Sequence, residues 1–168
     1  MAEEASSSSD VRAPIALKRD HPTLIKQEQS ISRSVADFER IIPNTALEPL
    51  GITVLSVNEE SLNLRMPITN ASRQPFGLLH GGISLLLAES AASMHSCWGI
   101  DLNSVFPVGI EINGSHLRSA SSGFVVATAQ LLRRSKALAV HEVKIVHEET
   151  NELLCVCRVT NYYKRRRV

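Results

Sequence analysis

Between Ile83 and Trp98 apolar residues fill almost every position, whereas on either side they alternate with polar ones. Alternation of period two predicts strands with one buried face, and an unbroken apolar run of this length predicts a helix buried all round. Ahead of that run, Ile52 and Val54, then Leu62, Leu64 and Met66 set against Asn63 and Arg65, predict a hairpin about the turn Asn58-Glu59-Glu60. Behind it, Val108, Ile110 and Ile112, then segments 124–132, 139–146 and 153–162, each have strand length, with turn residues such as Ser121-Ser122-Gly123 between them. A short helix comes first: Ser34 and Asp37 have capping-box spacing, Val35, Phe38, Ile41 and Ile42 share a face, and Pro43 ends it.

The order is helix, two strands, one long buried helix, four strands, which defines an α+β chain. A lone helix that is apolar all round is covered only if a strongly curved antiparallel sheet wraps it and another body, a second subunit, closes the open side. Residues 1–33, rich in serine and charge and without periodicity, are expected to form a flexible leader. Residues 34–163 then make one domain, and the basic run 164–168 a solvated tail.

Composition narrows the function. The 168 residues suffice for one domain with a proper core. Eighteen Lys and Arg against seventeen Asp and Glu give no electrostatic case for nucleic acid, and aromatics, at 4%, are too few for base-stacking platforms. No run reaches the roughly 18 apolar residues of a membrane span. The six histidines show no metal-ligand spacing, so no metal is expected. Cys97, Cys155 and Cys157 read as reduced core residues, which points to an intracellular, cytoplasmic protein.

The polar residues of the long helix carry the chemistry. Glu89 stands in the middle of the apolar run, where an unpaired carboxylate costs several kcal/mol. Residues three, four and seven apart share a helix face, so Glu89, Ser93 and Ser96 fall on one stripe that Leu86 and Gly82 continue toward the start. At that start, Gly81-Gly82, unpaired backbone N–H groups and the positive end of the helix dipole suit an oxyanion or a polarised carbonyl. The competing reading of Glu89 is a core ion pair with His116 or Arg118. His95, near the helix end, reads as structural.

Gln74-Pro-Phe-Gly-Leu-Leu-His80-Gly-Gly together with Ala88-Glu89-Ser90 resembles the hotdog-fold acyl-CoA thioesterases, in the branch of 1,4-dihydroxy-2-naphthoyl-CoA and Arthrobacter-type 4-hydroxybenzoyl-CoA thioesterases. The similarity runs from about Leu47 to Tyr162 and includes Gly109-Ile-Glu-Ile-Asn113 and His116-Leu-Arg-Ser119. It implies a curved sheet around one long helix, and hydrolysis of an apolar, for instance aromatic, acyl-CoA to free acid and CoA without any cofactor beyond the substrate's own coenzyme A. It carries Gln74, His80, Gly81, Glu89 and Ser93 into the active site. His116, Arg118, Arg134, Ser135 and Lys136 become coenzyme A contacts, and Phe76, Leu79 and Gly82 line the substrate pocket.

In such a reaction Glu89 serves as nucleophile or general base while the Gly81 N–H polarises the carbonyl. At a rise of ~1.5 Å per residue, Glu89 lies about 12 Å along the helix from Gly81, too far for one thioester to meet both. A homodimer with shared sites, within a homotetramer, is the expected unit. Two other readings compete: a hotdog dehydratase acting on 3-hydroxyacyl thioesters, and a module that binds acyl-CoA without turnover. The Gln74-Pro-Phe-Gly loop argues against the first, and Glu89 with His80-Gly81 against the second.

Overall fold

The computed structural model describes residues 33–166, so the expected leader, apart from Arg33, lies outside the described residues. Helix α1 (Val35–Glu39) opens on the capping box: Asp37 N–H donates to Ser34 Oγ, and the Asp37 carboxylate takes the Ser34 N–H at 3.0 Å. It ends before Ile41 and Ile42, which the apolar spacing includes, and Glu39 at its last position accepts the Val54 N–H on its side chain at 2.5 Å. Phe38 is fully buried and anchors α1 to the domain.

The hairpin follows as β1 (Thr53–Val57) and β2 (Ser61–Pro67), with Asn58 Oδ1 accepting the Glu60 and Ser61 N–H groups across the turn. Next come α2 (Gly81–Ser96), β3 (Val105–His116), β4 (Phe124–Arg134), β5 (Leu138–His147) and β6 (Leu153–Arg165). All six strands form one antiparallel sheet in the order β1-β2-β4-β5-β6-β3. After α2 the chain therefore crosses to the far edge, lays down β3, and returns to pair β4 with β2.

The register sets side chains in rows across the inner face. Leu62, Ala129, Val143, Cys157 and Gly114 make one such row, and Ala139, Asn161 and Gly109 another. Helix α2 lies across these rows and packs against β2 through β6. Small residues on its inner face, Ala88, Ala91 and Ala92, are fully buried and let its backbone approach the sheet closely. The helix is not covered all round in one chain. Gly82, Leu85, Leu86, Glu89, Ser90 and Ser93 line an open groove of ≈ 460 Å³. Ser96, expected on the same stripe, is instead fully buried and donates to the Ala92 carbonyl at 2.8 Å. The missing cover is a matter of sheet extent: the sheet runs out at β3.

At the far end of α2 a polar cluster fixes the helix. His95 Nε2 lies 3.0 Å from the Asn58 carbonyl, which can only accept, so that nitrogen carries the hydrogen. His95 Nδ1 then accepts from His141 Nε2–H at 2.8 Å, and His141 Nδ1 keeps a lone pair with no partner among the described residues. Arg134 donates to the carbonyls of His95, which also takes the Trp98 N–H, and of Trp98, at the end of the helix.

The basic run is no tail as far as Arg166. Strand β6 continues past Tyr162, with Lys164 opposite Phe106 and Arg165 opposite Val105, because β3 starts earlier than its apolar alternation suggests. Arg166 then donates its backbone N–H to Ser104 O and its Nε to Leu102 O, with its guanidinium 5.3 Å from the centre of the Phe106 ring.

Candidate active site

The loop before α2 is built by its own side chains. Gln74 Oε1 accepts the Phe76 N–H at 2.5 Å, and Gln74 N–H donates to Leu78 O, so a tight turn forms with Gly77 at φ 83°. With Oε1 committed, the free end of the Gln74 side chain is its amide NH₂, a donor. Phe76 is 89% exposed at the tip, and Leu79 is half-buried where the loop meets the core.

His80 is the N-cap of α2. Its Nδ1 accepts the Gly82 N–H at 2.8 Å, which places the ring hydrogen on Nε2. The Ile83 and Ser84 N–H groups share the His80 carbonyl. Among the described residues this leaves the Gly81 N–H as the helix-start donor without an acceptor. His116 of β3 lies over it: a Cβ on Gly81 would meet His116 Nε2 at 2.8 Å, so a side chain here would have to displace this imidazole.

Two turns on, Glu89 projects from α2 against β3. A Cβ on Gly109 would lie 2.5 Å from Glu89 Oε1, so the carboxylate occupies space that a missing side chain leaves. Its other neighbours are the groove residues Leu85, Leu86, Ser90 and Ser93. Among the described residues Glu89 enters no ion pair; Arg118 instead approaches Glu152, at 3.8 Å and well exposed. Without a counter-cation among the described residues, and beside an open groove, this carboxylate is not the core ion pair of the competing reading.

Ser93, one turn after Glu89, donates to Asn161 Oδ1 at 2.9 Å. Asn161 is fully buried on β6, and its Nδ2 has no partner among the described residues. Sequence reading singled out neither Asn161 nor the part played by Gly109. Both left a trace: Asn161 is a polar residue at an inward position between Val159 and Tyr163, and Gly109 is a glycine inside a strand, which marks a close approach.

The residues assigned to the site fall into two groups. Gln74, Phe76, Leu79, His80, Gly81, Gly82 and His116 gather at the N-terminal end of α2, with Glu89 and Ser93 further along the same groove. Arg134, Ser135 and Lys136 lie at the opposite end of that helix. The Arg134 guanidinium is spent on the His95 and Trp98 carbonyls, and Ser135 Oγ accepts the Ala137 and Leu138 N–H groups in the β4–β5 turn. The thiols offer no alternative nucleophile: burial pushes Cys97 and Cys157 up to about 12, far from thiolate at neutral pH. Burial also pushes the His95 and His141 imidazoles below the ordinary histidine range, His141 to about 3 with help from His95 and Arg134, which keeps this pair neutral and structural.

A six-stranded antiparallel sheet curled about one long helix, with a carboxylate on the side it leaves open, defines a hotdog-fold hydrolase. The chain belongs to the thioesterase superfamily, whose family model matches residues 76–162, and it is a thioester hydrolase. It is 40% identical over 120 residues to a 1,4-dihydroxy-2-naphthoyl-CoA hydrolase of Listeria monocytogenes, covering 71% of this chain and 96% of that one. It is 35% identical over 116 residues to the proofreading thioesterase EntH of Klebsiella pneumoniae, covering 69% and 83%. A crystal structure of a Pseudomonas aeruginosa thioesterase superposes with TM-score 0.76 at 31% identity, covering 83% of this chain and 98% of that one. No helix among the described residues is long and apolar enough to cross a membrane.

Proposed function

We propose that the protein hydrolyses acyl-CoA thioesters to the free acid and coenzyme A, with Glu89 as the reacting carboxylate. The observation that carries this reading is the Glu89 side chain itself, lodged against Gly109 on the open face of α2 with no cation paired to it among the described residues. The Gly81 N–H, at the positive end of the helix dipole, polarises the carbonyl oxygen. The Gln74 amide and His80 Nε2–H, both donors by the hydrogen bonds just described, orient the thioester. Glu89 then attacks the carbonyl carbon to give a mixed anhydride that water hydrolyses, or takes a proton from the water that attacks; either way the C–S bond breaks, the thiolate leaves and the free acid is released. Hydrolysis written this way draws on water alone.

Leu85, Leu86, Phe76 and Leu79 give the acyl group apolar walls. An aromatic acyl group is the first candidate, since the Listeria relative is named for an aromatic acyl-CoA. His116 and Arg118 lie near the helix start and suit the coenzyme A moiety. The protein acts inside the cell, where acyl-CoA is made.

The active unit in this reading is a dimer. Gly81 and Glu89 are about 12 Å apart along one helix, beyond the span of one carbonyl and its attacking group. Two α2 helices running antiparallel across a two-fold axis bring the Glu89 of one protomer to the Gly81 of its partner and cover both open grooves. That arrangement also swings the β4–β5 turn of one protomer, with Ser135 and Lys136, toward the other's helix start.

Thiol release from benzoyl-CoA and an acyl-CoA panel tests the reaction: Glu89→Gln is expected to abolish it while the fold persists, and wild-type turnover by folded Glu89→Gln would overturn the assignment. Complementation tests the dimer. Mixing Glu89→Gln with a variant damaged at Gln74 and His80 restores one intact site per mixed dimer; confirmed subunit exchange without activity would refute it.

A further inference from the structure

We propose that Asn161 is a positioning residue that fixes Ser93 as a hydrogen-bond acceptor for the attacking water, an inference that rests on Glu89 being the reacting carboxylate. Asn161 is fully buried, yet it interrupts an inward row of Cys155, Cys157, Val159 and Tyr163, where an apolar residue would cost nothing in desolvation. Among the described residues its side chain takes one hydrogen bond, from Ser93 Oγ at 2.9 Å. A hydroxyl has a single hydrogen and two lone pairs. With that hydrogen committed inward to Asn161 Oδ1, the lone pairs of Ser93 are what remains for the groove, which Ser93 and Glu89 both line.

Glu89 and Ser93 stand one helical turn apart on the same face. Both then present acceptors to the groove, and a water between them is held by its two hydrogens. Its oxygen lone pair is left pointing away from the helix, toward an incoming carbonyl carbon. In the reaction one O–H bond of this water breaks and its proton goes to Glu89. The oxygen forms the new C–O bond and keeps its other hydrogen, which stays hydrogen-bonded to Ser93 Oγ until collapse of the tetrahedral intermediate breaks the C–S bond and expels the thiolate. Without Asn161 the Ser93 hydrogen is free to turn toward the Glu89 carboxylate, the strongest acceptor nearby, and the serine then competes with the water it should hold.

Asn161 belongs to the same row as Gly109: a Cβ on Gly109 would lie 2.5 Å from Glu89 Oε1 and 3.9 Å from Asn161 Oδ1. The amide and the carboxylate thus flank one point, where the carboxylate meets the sheet. This also selects between the two chemical routes. A serine held as an acceptor gives nothing to a carboxylate nucleophile, whereas it orients water, so the geometry points to Glu89 as general base.

The test is a double-mutant cycle on the full chain, read as kcat and KM for benzoyl-CoA thiol release. Asn161→Ala and the better-filled Asn161→Leu should each lower kcat about tenfold with KM unchanged, as should Ser93→Ala. In a Ser93→Ala background neither Asn161 change should lower kcat further, because its effect passes through that hydroxyl. Effects that multiply instead, or a rise in KM at constant kcat, would overturn the proposal. Should both Asn161 variants fail to fold, Ser93→Ala alone decides, since wild-type kcat in that variant removes the acceptor role. Glu89→Gln, run alongside, separates the two levels: if it is inactive and the cycle is additive, only the Asn161 proposal falls, whereas if it turns over normally the parent reading falls.

Discussion

Replacing Gly109 by alanine separates what the carboxylate needs from what the fold needs. The added Cβ would stand 2.5 Å from Glu89 Oε1, while ordinary contact begins near 3.4 Å, so the carboxylate must retreat by about 1 Å. Glu89 ends a flexible side chain beside an open groove, and Gly109 does not have a positive φ, so this retreat costs little stability. A displacement of about 1 Å of a reacting group can cost on the order of 100-fold in rate. Gly114→Ala is the control on the same strand: its Cβ would meet Leu85 Cδ2, in the groove wall, at 2.7 Å and the buried Cys157 Sγ at 2.8 Å, neither of them a reacting group. Gly109→Ala should therefore lose about 100-fold in kcat with nearly unchanged melting temperature. Gly114→Ala should lose melting temperature and keep most of its kcat per folded molecule. Near-wild-type kcat in Gly109→Ala, or equal melting losses in the two variants, would refute the idea that the glycine makes room for the carboxylate.

The remaining expectations concern the far end of α2. The folded-state values of His95 and His141 lie below the ~6.5 of an unfolded histidine, so below that pH the unfolded chain binds protons that the folded chain refuses. Stability should be complete above pH 6.5 and fall as pH drops toward 3, by up to about a factor of ten in the folding equilibrium per pH unit for His141. Urea midpoints against pH measure this, and a His141→Leu protein with the same slope as wild type would contradict it. Arg134→Met keeps the aliphatic stem but deletes two donors to the helix end, and should cost about 2 kcal/mol in denaturant unfolding without changing KM. A large rise in KM in that variant would return Arg134 to the coenzyme A site.

The alternation of Leu62, Leu64 and Met66 and the capping spacing of Ser34 and Asp37 are local signals, each set by neighbours a few residues away, and the strands and α1 were legible from them. The sequence order of the elements, with one long helix among six strands, sufficed for the α+β class. Glu89 and Ser93 were legible as sharing a face for the same reason, since helical periodicity is local. Ser96 was misplaced because its angular position is close to that of Ser93, but the sheet edge falls between them, and an edge is a property of the tertiary fold. The Ser93–Asn161 bond joins residues 68 positions apart, and Gly109 meets Glu89 only once β3 has crossed to the edge of the sheet. The bonds of Arg134 to the His95 and Trp98 carbonyls were not legible, because nothing in its own strand shows that a helix ends above it. The short alternation Val108, Ile110, Ile112 likewise gave no sign that β3 begins at Val105, since Phe106 and Pro107 break the pattern.

Lys164, Arg165 and Arg166 pass, in a linear reading, for part of a solvated tail. In the fold they are a clasp. They pair the first residues of β3 with the last of β6, and Arg166 fastens the 102–104 loop that leads into that strand. Gly109 sits only a few residues further along β3, so the seat of the Glu89 carboxylate depends on the last pairs of β6, and cutting the chain at Tyr163 is expected to loosen it at a distance.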